Sequence, residues 1–449
     1  MKKLIFIVVA MVIMATSCKN TGTQVQLRIE SDENYSEAAL LLKDSLYRQP
    51  LDAANITVFT LPEKFEPALG AVFFGDKHVL IYMEPGKNTD ITVQINGNTV
   101  IPVFSGKYAR ENSYLNEKQA AFSPDYKLNE ADFATSLERQ LKKSYQTLDA
   151  KDFNGSFNRL EKKRIKYTLY NALLEYRSEH LYAIENYRYE LNDIYFNALA
   201  DIFTEDEDIL NMSVYQDYMK RMVSYITIHN MPKFENFRYI QEELNYVITR
   251  FKNPKVTEFI VDAIISEYIE RNGVDKLEEL EPIYRTKVTD SKKKAAFEEL
   301  CNKWKRITAG QLSPIFAYKD INGKTVHLSD FRGKYVYIDC WATWCGPCRR
   351  EQPFLEKLEK KYANKNICFV SISCDQDKAV WEKVVREEKL KGIHLIADED
   401  DTFMSAYMVS AIPHFILIDP EGKIVNNNMS RPSDPKTVEA FDKLKGIGG

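Results

Sequence analysis

The spacing of hydrophobic and polar residues changes twice along the chain. From residue 22 to residue 108, apolar and polar side chains alternate, as in the stretches 78–84 and 91–95. Turn pairs interrupt this alternation at Gly75-Asp76, Pro85-Gly86 and Asn96-Gly97. Alternation with a period of two, broken by such pairs, is typical of β-strands joined by tight turns. The pattern therefore predicts a β domain over residues 18–108, with a sandwich-like arrangement of its strands.

The pattern becomes helical from residue 109 to residue 309. Apolar residues recur there at intervals of three and four, with charged residues between them, and only two of the 17 glycines fall in this stretch. We expect an all-α helical domain whose many tyrosines form helix–helix contacts, although a tyrosine-lined groove for a partner is an alternative. Breaks between helices are expected near residues that disfavour helix: Pro124, Gly155, Pro232, Pro254, Gly273 and Pro282.

A third pattern begins at residue 310. Two short alternating stretches flank Asn322-Gly323, which predicts a hairpin. An apolar strand at 334–342 leads into a charged amphipathic helix, and strands near 366–374 and 414–425 enclose a further helix. Strands that alternate with helices and end in a hairpin predict an α/β fold over residues 310–449.

The N-terminus has the features of a targeting segment. Lys2 and Lys3 precede an apolar run at 4–15, which spans about 18 Å as a helix, whereas a bilayer core needs about 30 Å. Residues 1–17 are therefore predicted to be a signal peptide. The small residues before Cys18 resemble a bacterial lipobox, although Ala15 stands where a leucine is usual. We expect a periplasm-facing protein anchored to a bacterial membrane by lipid on Cys18; the alternative is simple cleavage beside an incidental cysteine.

Composition narrows the possible functions. The 449 residues exceed a typical domain of about 150 roughly threefold, so several domains are expected. Lys and Arg total 61 against 65 Asp and Glu, and this net charge of −4 offers no basic surface for nucleic acid. The seven cysteines do not suit a disulfide scaffold, because five of them lie between residues 340 and 374.

Two of these cysteines, Cys345 and Cys348, are three residues apart at the start of a predicted helix. One helical turn brings them close enough for a reversible disulfide, and the helix N-terminus favours the thiolate of Cys345. Cys345 is thus the expected nucleophile and Cys348 the resolving thiol. A zinc site would need two further ligands, but the sequence has no second Cys-x-x-Cys and no paired histidine. We expect no metal and no cofactor beyond the redox-active disulfide, while an inert structural disulfide is the remaining alternative.

The WCGPC motif at residues 344–348, after an apolar strand that carries Asp339, resembles the thioredoxin superfamily and, in detail, its TlpA/ResA-type branch. The resemblance covers residues 310–446 and implies a thioredoxin fold. It also implies that Asp339 is a buried carboxylate that exchanges a proton with Cys348. Glu351 matches an acidic residue that tunes the pKa of the thiols, and Trp344 matches the aromatic residue of the docking face.

The same resemblance implies a cis-proline at Pro413, which leaves the backbone of Ile412 free to pair with an extended substrate segment. His414 departs from the threonine that most relatives have after this proline, so the resemblance implies the reaction but not the fine substrate preference. Further upstream, YMEPGKNTDITV and FSGKYARENSYLNE resemble a β domain of unknown function that often precedes thioredoxin domains in exported bacterial proteins.

These features lead to one leading hypothesis: a membrane-anchored periplasmic thiol:disulfide oxidoreductase that reduces protein disulfides by mixed-disulfide exchange. Its expected partners are disulfide-containing proteins and an electron donor in the membrane or periplasm. An adaptor whose β and helical domains bind a partner protein is the alternative. A peroxiredoxin would need a Pro-x-x-x-Thr-x-x-Cys context, which residues 338–345 lack. The other cysteines are expected to be structural thiols: Cys301, Cys340, Cys368 and Cys374.

Overall fold

The computed structural model describes residues 22–447, except 32, 34, 44, 98, 118–122, 187, 232–235 and 398–401. The predicted signal peptide and Cys18 therefore lie outside the described residues. The chain divides into two compact units, one of residues up to 235 together with 246–256, the other of 236–245 together with 257–449. This division falls inside the predicted helical domain, so the boundaries at residues 108 and 309 stay predictions.

The first unit begins with two four-stranded sheets, ordered β4-β1-β7-β8 and β3-β2-β5-β6. The strands are β1 (Gln24–Glu30), β2 (Glu37–Leu42), β3 (Ser45–Pro50), β4 (Ile56–Thr60), β5 (Ala68–Phe74), β6 (Lys77–Met83), β7 (Thr89–Asn96) and β8 (Thr99–Gly106). Alternate residues of β1, Val25, Leu27 and Ile29, are buried, and they join Leu40 and Val72 of the other sheet in one hydrophobic cluster. The two sheets thus share a core, which explains the period-two alternation in the sequence.

The sheets of the first unit are followed in its described residues by α1 (Ala109–Asn116), α2 (Glu130–Asp149), α3 (Gly155–Ala183), α4 (Asp193–Asp201) and α5 (Ser213–Asn230). Asn129 and Asn154 begin α2 and α3, where their side-chain oxygens accept backbone N–H groups of the first turn. Tyr167, Tyr215 and Tyr218 are fully buried where α3 packs against α5. The expected use of tyrosines in helix–helix contacts is confirmed at this position.

Four further helices follow: α6 (Asn236–Arg250), α7 (Pro254–Asn272), α8 (Leu277–Lys287) and α9 (Ser291–Lys305). The expected break near Pro282 is wrong, because this proline lies inside α8. Proline removes one backbone hydrogen bond, but Leu280 and Tyr284 beside it are buried, and their packing maintains the helix. The separately expected break at Gly273 is confirmed, because its φ of 70° ends α7 in the left-handed region, whereas the break expected at Pro232 lies outside the described residues.

The C-terminal part of the second unit is built around a seven-stranded sheet ordered β10-β9-β13-β12-β11-β14-β15. Its elements are β9 (Ala317–Asp320), β10 (Thr325–His327), β11 (Tyr335–Trp341), α10 (Gly346–Lys361), β12 (Ile367–Ser373), α11 (Lys378–Glu387), β13 (Ile393–Ile396), α12 (Thr402–Ala406), β14 (His414–Ile418), β15 (Ile424–Asn426) and α13 (Pro435–Asp442). The predicted strands, helices and hairpins are confirmed, but α12 and α13 were not predicted, and the β14–β15 hairpin does not end the fold because α13 follows it. Sequence reasoning missed β13, because four residues that include a histidine give too short an apolar run.

The central strand β11 positions the site. It pairs in parallel with β12 and antiparallel with β14, and six of its seven residues are buried. The chain leaves this strand at Trp341 and enters α10 five residues later, so the start of α10 lies at the end of the most protected strand. None of the helices in the described ranges is long and apolar enough to cross a lipid bilayer.

Candidate active site

Cys345 and Cys348 form a disulfide at the start of α10. Cys345 occupies the N-cap position, and the backbone N–H of Cys348 donates to its sulfur over 3.2 Å. Pro347 lies in the first turn, where its missing N–H removes no helical hydrogen bond. When the disulfide is reduced, the unpaired N–H groups and the dipole of α10 favour the thiolate of Cys345.

The disulfide packs against apolar side chains on its inner side, and the neighbouring residue Trp344 is exposed to solvent. Cys345 and Cys348 belong to one buried cluster with Trp341 and Trp381. Both cysteines are almost fully buried, Cys348 at 2% exposed and Cys345 at 4%. Trp344 is 70% exposed and lies directly before the nucleophile, so its ring is accessible to another molecule.

Asp339 lies in the middle of the sheet on β11 and is only 4% exposed, as expected from its place in an apolar strand. Its Oδ2 accepts a hydrogen bond of 3.2 Å from the Ser371 hydroxyl on β12. Burial is the main cause that raises the pKa of Asp339 to about 7. The charges of Glu351 and Glu359 raise it further, whereas the Ser371 hydrogen bond lowers it. A carboxyl with this pKa can both accept and donate a proton near neutral pH.

Glu351 lies on the buried side of α10, and its hydrogen bonds go to a distant loop. Its carboxylate accepts the backbone N–H of Ser433 over 3.0 Å and the Ser433 hydroxyl over 2.9 Å. These bonds connect the active-site helix to the segment that precedes α13. The charge of Glu351 contributes to the raised pKa of Asp339, so its electrostatic effect acts on that carboxyl. Its expected effect on the thiols stays a prediction.

The peptide bond between Ile412 and Pro413 is cis, as the resemblance implied. Pro413 opens into a cleft of about 540 Å³, lined also by His414, Met429, Ser430, Arg431 and Ser433. His414 Nε2 lies 2.6 Å from the carbonyl oxygen of Asn427, and burial lowers the pKa of this histidine. The residue that departs from the usual threonine is therefore engaged with the backbone beside the cleft.

Sequence reasoning missed Asp375, which is 3% exposed and contacts the turn between β11 and α10. Its carboxylate accepts the backbone N–H of Thr343 over 2.9 Å and the Thr343 hydroxyl over 2.6 Å. A signal was present in the sequence, because Asp375 follows the strand at 366–374, and carboxyl ends of neighbouring parallel strands meet at one sheet edge. The predicted strand order alone did not show that these two strands are neighbours.

The remaining cysteines have raised pKa values. Cys301 and Cys340 are buried, whereas Cys368 and Cys374 are half-buried. Burial is the main cause that raises the pKa of all four thiols, and for Cys340 it lies well above the usual range. High pKa values disfavour the reactive thiolate, which agrees with their interpretation as structural thiols.

Known proteins are similar to the C-terminal part of this chain. The family model described as Redoxin matches residues 308–444. The thiol-disulfide oxidoreductase ResA of Geobacillus thermodenitrificans is 31% identical over 138 residues, which cover 30% of this chain and 79% of that protein. ResA of Bacillus subtilis is 33% identical over 119 residues, which cover 26% of this chain and 66% of that protein. A solved structure of a putative thiol-disulfide oxidoreductase from Bacteroides vulgatus is 60% identical, with a TM-score of 0.28, over 29% of this chain and 85% of that chain.

Proposed function

We propose, from the premise that this chain belongs to the thioredoxin superfamily through a ResA-like thiol-disulfide oxidoreductase domain, that it reduces disulfide bonds of other proteins with the Cys345–Cys348 pair. The observation that carries the proposal is the position of Cys345 at the N-cap of α10, bonded to Cys348. This position favours a thiolate at neutral pH and provides a second thiol within reach.

The reaction proceeds in two exchange steps. The Cys345 thiolate attacks one sulfur of the target disulfide, which forms a mixed disulfide and releases the other target sulfur as a thiolate that takes up a proton. The Cys348 thiolate then attacks the sulfur of Cys345, which re-forms their disulfide and releases the first target sulfur. Two electrons pass from the protein to its target. An electron donor in the membrane or the periplasm then reduces the Cys345–Cys348 disulfide for the next cycle.

Asp339 serves as the proton acceptor for Cys348 in this scheme. The resolving thiol must lose its proton before it attacks, and Cys348 is almost fully buried, so bulk water has little access to it. A buried carboxyl with a pKa of about 7 accepts a proton at neutral pH and returns it when the product thiol leaves.

Substrate binding is assigned to the surface around Trp344, Ile412 and Pro413. The exposed ring of Trp344 offers apolar contact area, and the backbone beside the cis-proline accepts an extended peptide by strand-like pairing. The strand-like pairing uses only the backbone of the target, whereas the Trp344 ring favours apolar side chains near the target disulfide.

We place the protein at a bacterial membrane, with lipid on Cys18 as its anchor and the described units facing the periplasm. The support is the short apolar run at 4–15, which is too short to span a bilayer, followed by small residues and then a cysteine.

Insulin reduction tests the proposed activity. Purified residues 19–449, supplied with dithiothreitol, should accelerate precipitation of the insulin B chain, whereas Cys345→Ser should show only the background rate. Cys301→Ser, which removes a buried thiol outside the motif, is the matched control and should retain full activity. A wild-type rate equal to that of Cys345→Ser would rule out the reductase. An adaptor would instead recover the same partner complex from cells with or without the Cys345 sulfur.

A further inference from the structure

Asp375 connects the turn that carries the nucleophile to the central sheet. The turn spans residues 342–345 and is closed by a hydrogen bond of 3.1 Å from the Cys345 N–H to the carbonyl oxygen of Ala342. Thr343, the second residue of the turn, donates both its backbone N–H and its hydroxyl to the Asp375 carboxylate, over 2.9 Å and 2.6 Å. One buried side chain therefore holds this residue by two bonds in different directions.

Asp375 is itself held in place. The Ser373 hydroxyl donates to its Oδ2 over 2.5 Å, and the backbone N–H of Asp375 donates to the Ser373 oxygen over 3.0 Å. Ser373 ends β12, and its register partner is Trp341, which ends β11. The backbone N–H of Cys374 also donates to the carbonyl oxygen of Trp341 over 3.0 Å. The Asp375 carboxylate is thus fixed to the end of the central sheet, and its hydrogen bonds to Thr343 restrict movement of the turn relative to the sheet.

The ends of the turn, Ala342 and Cys345, are packed in the core, whereas its middle residues are partly or largely exposed. Trp344 is 70% exposed, so core packing does not hold the residue between Thr343 and the nucleophile. The benefit that Cys345 receives from the N-terminus of α10 depends on its position, because the effect of a helix dipole decays within the first turn. A turn that moves would lower both the thiolate fraction and the time that the sulfur is aligned with a target.

We propose that Asp375 is a positioning residue of the exchange reaction, which acts through Thr343 to hold Cys345 at the N-cap of α10. The proposal rests on the nucleophilic role of Cys345 given above, and it assigns to Asp375 no contact with the reacting sulfurs. Asp375 supplies acceptors that match the two donors of Thr343. Because Thr343 is held in this way, the backbone that follows it enters Trp344 and Cys345 in a fixed orientation.

The experiment compares four variants of residues 19–449: Asp375→Asn, Thr343→Val, the double variant and Thr343→Ser. The measurement is the second-order rate constant of the reduced protein with 5,5′-dithiobis(2-nitrobenzoate) from pH 5 to pH 9, with tryptophan fluorescence during thermal unfolding as the check of the fold. Asp377→Asn is the matched control, because it makes the same change two residues away at an exposed helix cap where asparagine also caps well.

Asp375→Asn and Thr343→Val are each expected to lower the rate constant at pH 7 about tenfold. Thr343→Val should also move the pH midpoint of Cys345 upward, because it removes the attachment and leaves the Asp375 charge in place. The double variant should be no slower than the slower single variant, because both changes remove the same attachment. Thr343→Ser keeps both donors and should stay within about twofold of wild type, as should Asp377→Asn.

Wild-type rates in folded Asp375→Asn, or a wild-type midpoint in Thr343→Val, would overturn the proposal. Effects of the two single variants that multiply in the double variant would also overturn it. If Asp375→Asn does not fold, Thr343→Val decides alone, since it leaves the carboxylate and Ser373 in place. The outcome is separable from that of the proposed function, because the reagent reports on Cys345 directly. If the wild-type protein does not reduce insulin but the variants show these rate effects, protein disulfides are ruled out as substrates and the positioning role of Asp375 stays supported.

Discussion

Replacement of Asp339 by asparagine should change how stability depends on pH. Burial raises the pKa of this carboxyl from 3.8 to about 7 in the folded protein. Between these two values the folded protein holds a proton that the unfolded chain has released. The wild type therefore loses stability as pH rises from about 4 to about 7, and the loss is complete above that range. Asparagine does not titrate and lacks this loss.

The magnitude follows from the shift. A difference of roughly three pH units, at about 1.36 kcal/mol each, corresponds to an upper value of about 4 kcal/mol. About 1 kcal/mol of this loss has already occurred at pH 4.5, so relative to wild type Asp339→Asn should gain about 3 kcal/mol between pH 4.5 and pH 8. Glu359, whose pKa burial also raises to about 7, is present in both proteins, so its contribution to the difference largely cancels.

Urea unfolding followed by tryptophan fluorescence is the assay. All four tryptophans lie between residues 304 and 381, so the signal reports on the second unit. The difference at pH 4.5 is the internal reference, because Asp339 is then protonated in the folded protein and partly protonated in the unfolded chain. If the difference in unfolding free energy between variant and wild type stays constant from pH 4.5 to pH 8, the raised pKa of Asp339 is refuted. If that difference shrinks as pH rises, the pKa of Asp339 is lowered rather than raised. Insulin reduction by the variant should fall at the same time, since the proposed proton acceptor of Cys348 is lost.

Two further predictions concern Glu351 and Cys18. Glu351→Gln removes a charge that raises the pKa of Asp339, so the NMR titration midpoint of a ¹³C-labelled Asp339 carboxyl should fall below its wild-type value; an unchanged or higher midpoint would contradict the coupling. Cys18→Ser should abolish incorporation of labelled palmitate and move the protein from the membrane to the soluble fraction of an expressing bacterium. Palmitate label on the Cys18→Ser variant would exclude the proposed anchor.

Local sequence was sufficient for the elements that carry their own signals. The glycine-poor stretch with three- and four-residue spacing contains helices α1 to α9, and the apolar run at 334–342 contains β11. Pro282 is an informative failure, because the rule that proline ends a helix concerns one lost hydrogen bond and takes no account of packing. Likewise β13 became recognisable only through its pairing with β12 and β9.

The candidate site divides along the same line. Cys345 and Cys348 were identifiable because two cysteines three residues apart at a helix start lie within one turn. Asp339 was identifiable because the resemblance to the thioredoxin superfamily implies a carboxyl on the strand before the motif. Thr343 and Asp375 lie 32 residues apart, and Glu351 and Ser433 lie 82 apart, so their contacts follow from strand pairing and helix docking.

By itself, the sequence determined the reactive pair, those helices and strands of the C-terminal fold that carry their own local signals, and the net charge of −4. Each of these depends on neighbours within about one helical turn or one strand, or on a simple count of charges. Only the tertiary structure decided which carboxylates contact the active-site turn and helix, and how far burial raises the pKa of Asp339. Such contacts and desolvation arise when distant segments exclude water together, and no local pattern encodes that arrangement.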